Sequence, residues 1–183
     1  MSEPTPDALR AALKRTASAL KQVGLPFALT GSYALWARGG PESQHDVDFI
    51  VAERDVDAIA SGLAAEGLVA RRPPEDWLLK LQTDGVVVDL LHRAGGVPVE
   101  PAMLECAEVL EVLSVRMPVL PATEVLVHKL GALSDHYCDF APLLASVRAV
   151  REQLDWTQLR ERTAGNDHAA AFLFLADRLG LAK

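Results

Sequence analysis

Cysteine is scarce in this chain of 183 residues, because Cys106 and Cys138 are the only two. Two cysteines form at most one disulfide, so the fold does not rest on a disulfide framework. Half of the residues are hydrophobic, which is enough for one full core. No apolar run approaches the roughly 20 residues that cross a bilayer. The N-terminus, Met1-Ser2-Glu3-Pro4, is polar and has no secretory pattern. We therefore expect a cytoplasmic protein without a membrane partner.

Positive charge is also in the minority. The chain has 18 lysines and arginines against 25 aspartates and glutamates, which gives a formal net charge of −7. This balance argues against a protein that coats long duplex nucleic acid, because such binding depends on neutralising many phosphates. A local basic patch could still bind a small RNA end. The alternative is that the basic residues of such a patch are ordinary solvated surface charges. The candidates are Arg71, Arg72, Lys80, Arg93, Arg116, Arg148 and Arg151.

Two carboxylates stand in one short apolar run. The segment from His45 to Val51 contains Asp46 and Asp48 and is rich in β-branched and aromatic residues, which predicts a strand. Residues two apart on a strand share a face, so Asp46 and Asp48 should project together. The similar spelling Asp55-Val56-Asp57 opens a helical pattern, in which residues two apart diverge by roughly 200°. Only the first pair is therefore a candidate for shared chemistry.

A third carboxylate, Asp89, lies in the second arm of a predicted hairpin. The arms are Leu78–Thr83 and Val86–Leu91, joined by the two-residue turn Asp84-Gly85. If the second arm pairs with the strand of Asp46 and Asp48, the three carboxylates converge. Mg²⁺ is held in proteins by one or two carboxylates together with substrate phosphates. The pattern therefore favours phosphoryl-transfer chemistry.

A small turn, Gly31-Ser32, lies between the predicted strand Phe27–Thr30 and the start of a helix. Glycine lets backbone N–H groups approach a phosphate closely, and the hydroxyl of Ser32 could add a contact. Ser32 is equally suited to cap the helix, and the two roles are compatible.

Together these three parts resemble the nucleotidyltransferase superfamily with the polymerase-beta-type fold. Its pattern is a Gly-Ser or Gly-Gly turn, a strand with Asp-x-Asp or Asp-x-Glu, and a third carboxylate on a later strand. The match runs from Leu25 to His92. Within the superfamily the chain looks most like small stand-alone bacterial members of the AbiEii and MenT toxin type, which are related to small antibiotic nucleotidyltransferases.

The resemblance implies an α/β (α+β) fold, with a mixed sheet, flanking helices and a helical C-terminal region. It implies a catalytic core over residues 1–120 and a helical region over 121–183 that completes the active-site cleft. The segment from Leu120 to Leu130 resembles a helix that carries a lysine, here Lys129, in the toxin-like branch. Asp139, at the start of the next predicted helix, resembles an acidic position that follows it.

The resemblance further implies an enzyme that transfers a nucleoside monophosphate from a nucleoside triphosphate, such as ATP, to a hydroxyl acceptor. Mg²⁺ would be held by Asp46, Asp48 and Asp89, with Asp89 either joining a second ion or accepting the acceptor's proton. The nucleotide would contact Gly31, Ser32, Lys129 and Asp139.

The acceptor expected from the toxin-like branch is the 3′ end of tRNA, and an antitoxin would be the protein partner. Two alternatives stay open at this point. One is an enzyme that modifies a small hydroxylated molecule of the aminoglycoside type. The other is a non-catalytic nucleotide-binding module.

Overall fold

A seven-stranded mixed sheet forms the centre of the computed structural model, which describes residues 4–182. The polar N-terminal residues Met1–Glu3, on which the expected location partly depends, lie outside the described residues. The strand order in the sheet is β3-β4-β5-β2-β1-β9-β8, and β6 and β7 form a separate two-stranded sheet. The strands are β1 Phe27–Thr30, β2 Val47–Val51, β3 Ala70–Arg71, β4 Leu78–Thr83, β5 Val86–Leu91, β6 Arg93–Ala94, β7 Val97–Pro98, β8 Glu108–Val112 and β9 Val115–Val119.

The helices pack against this sheet and against one another. They are α1 Pro6–Val23, α2 Gly31–Trp36, α3 Val56–Ala65, α4 Pro101–Leu104, α5 Ala122–Gly131, α6 Phe140–Val150, α7 Trp156–Thr163 and α8 Asp167–Arg178. In α1 the Thr5 side chain caps the first turn by accepting from the Ala8 N–H, and Gly24 ends the helix in the left-handed conformation. Within residues 4–182, every helix is too short or too polar to cross a membrane.

The predicted hairpin is confirmed. Strands β4 and β5 pair antiparallel from Leu78 opposite Leu91 to Thr83 opposite Val86. Asp84 and Gly85 both have positive φ, at 53° and 75°, as a two-residue type I′ turn requires. The second arm also lies beside β2, to which it pairs in parallel, as the sequence allowed but did not require.

Alternation along the central strands sorts their residues into a core face and a functional face. Val47 and Phe49 on β2 are fully buried, and so is Val88 on β5. Asp48 and Asp89 lie on the opposite face and keep partial exposure. A one-residue slip of either strand would bury its carboxylate, so the hydrophobic pattern fixes the register. The predicted mixed α/β class is confirmed.

The helical C-terminal region contributes to the same hydrophobic core as the sheet, through buried residues such as Leu126 and Phe172. The proposed boundary at residue 121 falls between β9 and α5. Arg38, just after α2, donates to the carbonyl oxygens of Leu120 at 2.8 Å and Val119 at 3.1 Å. This contact fixes the end of α2 against the strand that leads into α5.

Candidate active site

The pairing of β2 with β5 places Asp48 directly opposite Asp89. Directly opposite residues have Cβ atoms only about 5 Å apart, so the two carboxylates are neighbours on one face of the sheet. The third predicted carboxylate, Asp46, is exposed and immediately precedes β2, which begins at Val47 and not at His45 as the sequence predicted. Ser43 donates from Oγ to Asp46 Oδ1 at 3.2 Å and to its carbonyl oxygen at 3.0 Å, which holds the residue in place.

Gly31 packs against the side chain of Asp48. Thr30 at the end of β1 pairs with Asp48, so the following turn passes directly over that carboxylate. A β-carbon on Gly31 would lie 2.0 Å from Asp48 Oδ2, and the φ of Gly31 is +63°. Both the close approach and the left-handed backbone exclude any other residue without rearrangement. The glycine therefore brings the turn and the carboxylate together.

Lys129 reaches the same turn from α5. Its Nζ donates to Ser32 Oγ at 3.2 Å across a separation of 97 residues. Lys129 also lowers the pKa of Asp48, although burial and the other carboxylates outweigh it. The predicted lysine therefore lies beside the predicted turn, with its charge directed at the carboxylates.

Lys80 is a second cation at the site, and sequence reasoning placed it only among candidate surface charges. It lies directly opposite Asp89 in the hairpin, and its Nζ donates to Oδ1 at 3.1 Å and Oδ2 at 3.3 Å. The signal was present in the sequence, because a two-residue turn at 84–85 sets residue 80 opposite residue 89.

The electrostatics show an excess of negative charge in a confined space. The pKa of Asp48 is raised from its ordinary value to about 7, first by burial and then by repulsion from Asp46. The pKa of Asp89 is also raised, mainly by burial, although Lys80 opposes the shift. Such carboxylates are costly unless a cation meets them.

The loop that leads to Asp46 is anchored by an ion pair that sequence reasoning missed. Arg10 of α1 donates from Nε to Glu42 Oε1 and from a terminal nitrogen to Oε2, both at 2.8 Å. Tyr33, fully buried, directs its hydroxyl toward Glu42 at 3.5 Å, and burial raises the Tyr33 pKa to about 12. The two partners are 32 residues apart, and no local pattern marks them as a pair.

Asp139 is not brought into contact with these groups. It is exposed and caps α6, where its Oδ1 accepts from the Ala141 N–H at 3.0 Å. The contacts of Asp139 are therefore those of a helix cap, and its predicted nucleotide contact stays a prediction.

The donor set fits a hard divalent cation in chemistry but does not form a closed cage. Asp46, Asp48 and Asp89 offer only carboxylate oxygens, the ligand type that Mg²⁺ prefers. As the side chains of residues 4–182 stand, no three acidic, histidine or cysteine residues are arranged to hold a metal ion. Lys80 contacts both oxygens of Asp89, and it would have to release at least one of them for Asp89 to serve as a ligand.

Comparison with known proteins identifies the fold. The solution structure of the antibiotic-resistance factor ANT(2'')-Ia matches with a TM-score of 0.62 at 13% identity, covering 95% of this chain and 99% of that one. An antigenic nucleotidyltransferase-like protein from Paracoccidioides brasiliensis matches with a TM-score of 0.54 at 14% identity, covering 94% of each chain. The lincomycin-bound lincosamide antibiotic adenylyltransferase LnuA matches with a TM-score of 0.52 at 11% identity, covering 88% of this chain and 100% of that one.

No protein-family model matches the chain, and no curated protein matches it either. At identities this low the structural likeness concerns the fold alone. The chain thus has the nucleotidyltransferase fold that the sequence predicted, and the narrower likeness to AbiEii and MenT-type toxins stays a prediction.

Proposed function

We propose that this protein is a Mg²⁺-dependent nucleotidyltransferase, which moves a nucleoside monophosphate from a nucleoside triphosphate to a hydroxyl acceptor and releases pyrophosphate. The observation that carries the proposal is the juxtaposition of Asp48 and Asp89 across β2 and β5, with Gly31 against Asp48. Lys129 on Ser32 adds a cation at the turn that would hold phosphates. The fold agrees with this chemistry, which is support by analogy.

Each side chain has a separate task in the proposed reaction. Asp46 and Asp48 would hold Mg²⁺, which when bound neutralises charge on the phosphates. Gly31 and Ser32 would contact the outer phosphates through backbone N–H groups and a hydroxyl, and Lys129 would stabilise their charge. Positioning and charge stabilisation would supply most of the rate enhancement.

The chemical step exchanges one phosphorus–oxygen bond for another. The acceptor oxygen forms a bond to the α-phosphorus, and the bond from that phosphorus to the oxygen bridging to the β-phosphate breaks in line. Asp89 would accept the acceptor's proton, and its raised pKa, which makes it a better base than an ordinary aspartate, supports this role. Alternatively, Asp89 would serve as a ligand of a second metal ion.

The proposed acceptor is an RNA end, in particular the 3′ end of tRNA, and the proposed protein partner is an antitoxin. This part rests on the resemblance of the Lys129 helix to the toxin-like branch. The contact of Lys129 with Ser32 supports the role of that helix at the site but does not bear on the acceptor.

A small hydroxylated molecule is the second candidate acceptor. The observation in its favour is that ANT(2'')-Ia, solved with adenylyl-2''-tobramycin, and LnuA, solved with lincomycin, match over 95% and 100% of their lengths. These likenesses cover 85% and 88% of this chain, so they extend beyond residues 1–120 into the helical C-terminal region.

A transfer assay tests the proposal. Purified protein, Mg²⁺ and each labelled nucleoside triphosphate in turn are incubated with total tRNA, or with tobramycin and lincomycin. We expect label on one acceptor, lost in Asp48→Asn and retained in the matched control Asp57→Asn, which alters an exposed aspartate on α3. Nucleotide binding without transfer to any acceptor would favour the non-catalytic module. Transfer that persists in Asp48→Asn would show that the assigned carboxylates are wrong.

A further inference from the structure

A row of four charged residues crosses the sheet in register. Arg71 on β3 lies opposite Lys80 on β4, Lys80 lies opposite Asp89 on β5, and Asp89 lies opposite Asp48 on β2. Directly opposite residues share a face, so all four side chains project to the side on which the carboxylates lie. The row therefore continues the active-site face outward to the edge of the sheet.

The outermost member of the row has no partner. The Arg71 side chain is exposed and makes no hydrogen bond or ion pair with any residue in the range 4–182. Its neighbour Arg72 is paired with Asp57 at 3.0 Å and Asp76 at 3.6 Å. Lys80, directly opposite Arg71, is already paired with Asp89 at 3.1 and 3.3 Å, so the unpaired positive charge of the row is that of Arg71. An anion bound at Arg71 would pair that charge.

A cavity of about 510 Å³ lies at this place. Arg71, Lys80 and Gln82 supply its polar donors, and the rest of the lining, which is apolar or backbone surface, comes from Gly67, Val69, Leu81 and Val87. Val69 is 67% exposed and Val87 is 39% exposed, which leaves apolar surface for a ring or sugar beside the cations. We name this site, defined by these seven residues, the Arg71 groove.

We propose that the Arg71 groove binds a phosphate group of the acceptor, so that the acceptor is a phosphorylated, hydroxyl-bearing molecule. This inference rests on the proposed function, because it takes Asp89 as the place of the attacking hydroxyl. Arg71 and Asp89 are two strand spacings, about 10 Å, apart along the row. A phosphate at Arg71 and a hydroxyl at Asp89 can therefore belong to neighbouring groups of one acceptor.

The groove discriminates against cationic acceptors. A polyamine-like molecule bound in this groove would lie beside Arg71 and Lys80, and like charges at close range oppose binding there. A phosphate would instead accept charge-assisted hydrogen bonds from the guanidinium and the ammonium. A phosphodiester strand and a small phosphorylated molecule both offer such a phosphate. The experiment below distinguishes between these two ligands.

The experiment measures binding to the metal-free protein, so that it does not depend on turnover. Fluorescence anisotropy gives Kd for a short single-stranded RNA, and competition with a nucleoside monophosphate gives Kd for a small phosphorylated ligand. We expect Arg71→Gln to weaken binding about tenfold and to reduce the slope of log Kd against log salt by about one. Arg72→Gln is the matched control and should change Kd less than twofold, since Arg72 already has partners.

The outcomes separate the possible ligands. If the nucleoside monophosphate displaces the RNA at concentrations near the Kd of the monophosphate, the acceptor is a small phosphorylated molecule. If the oligonucleotide binds and the monophosphate does not displace it, the acceptor is a nucleic-acid strand. The inference is overturned if Arg71→Gln and Arg72→Gln change Kd equally. It is also overturned if neither Arg71→Gln nor Arg71→Glu changes Kd while the melting temperatures of both variants stay unchanged.

Failure of the inference is distinguishable from failure of the proposed function. Asp48→Asn should abolish transfer while binding of RNA to the groove remains. With a working transfer assay, Arg71→Gln should raise KM for the acceptor about tenfold and leave KM for the nucleotide unchanged. Transfer to tobramycin with a KM that Arg71→Gln does not change would support the proposed nucleotidyltransferase activity. The same result would refute phosphate binding in the Arg71 groove.

Discussion

Replacing Asp48 by asparagine should stabilise the metal-free protein while it abolishes transfer. The Asp48 pKa is raised from 3.8 to about 7, first because the carboxyl is largely removed from solvent and then because Asp46 and Asp89 repel its charge. That change corresponds to about 4 kcal/mol in favour of the protonated form. Asparagine keeps the shape of the side chain but carries no charge, so it avoids this cost at every pH.

The size of the effect depends on pH in a definite direction. Because the folded-state pKa lies above the unfolded value, protonation of Asp48 favours the folded state. This contribution is fully present below about pH 4 and is lost as pH rises through about 7. The advantage of Asp48→Asn should therefore be largest at pH 8 and smaller by about 3 kcal/mol at pH 5.

Thermal unfolding of both proteins in a chelator, at pH 5 and pH 8, measures the difference. For a chain of this length about 3 kcal/mol corresponds to roughly 6 to 12 °C in melting temperature. Adding Mg²⁺ at pH 8 should stabilise the wild type and leave Asp48→Asn unchanged, since ligand binding stabilises only the form that binds. A pH-independent difference between the two melting temperatures would refute the reasoning.

Three further substitutions test the rest of the site. Gly31→Ala should reduce stability by about 1 to 2 kcal/mol in denaturant titrations and abolish transfer, since its φ is positive and its Cβ would meet Asp48; a fully active variant would contradict this. Lys129→Met should raise KM for the nucleotide at least tenfold with an unchanged melting temperature, and unchanged steady-state kinetics would remove it from the phosphate site. Glu42→Gln should slow transfer by loosening the loop anchored by Arg10, whereas activity equal to the wild type would make that anchor irrelevant.

Local chemistry made much of the fold predictable. The turn at Asp84-Gly85 fixed the hairpin and its register, because a two-residue turn with two positive φ angles admits one pairing. Period-two alternation assigned Asp48 and Asp89 to the open face for the same reason that it buried Phe49. The strand boundary near Asp46 was less predictable, because His45 and Asp46 lie in a loop that is anchored by the long-range pair of Arg10 with Glu42.

The sequence by itself determined which residues could do chemistry and on which face of a strand they lie. Carboxylates in apolar strands, a glycine before a serine and a hairpin turn are local patterns with local physical causes. Only the tertiary structure decided which of these parts meet. The parallel pairing of β2 with β5, the contact of Gly31 with Asp48 and the contact of Lys129 with Ser32 join distant segments. Such contacts depend on how the whole core packs, and neither periodicity nor spacing encodes them.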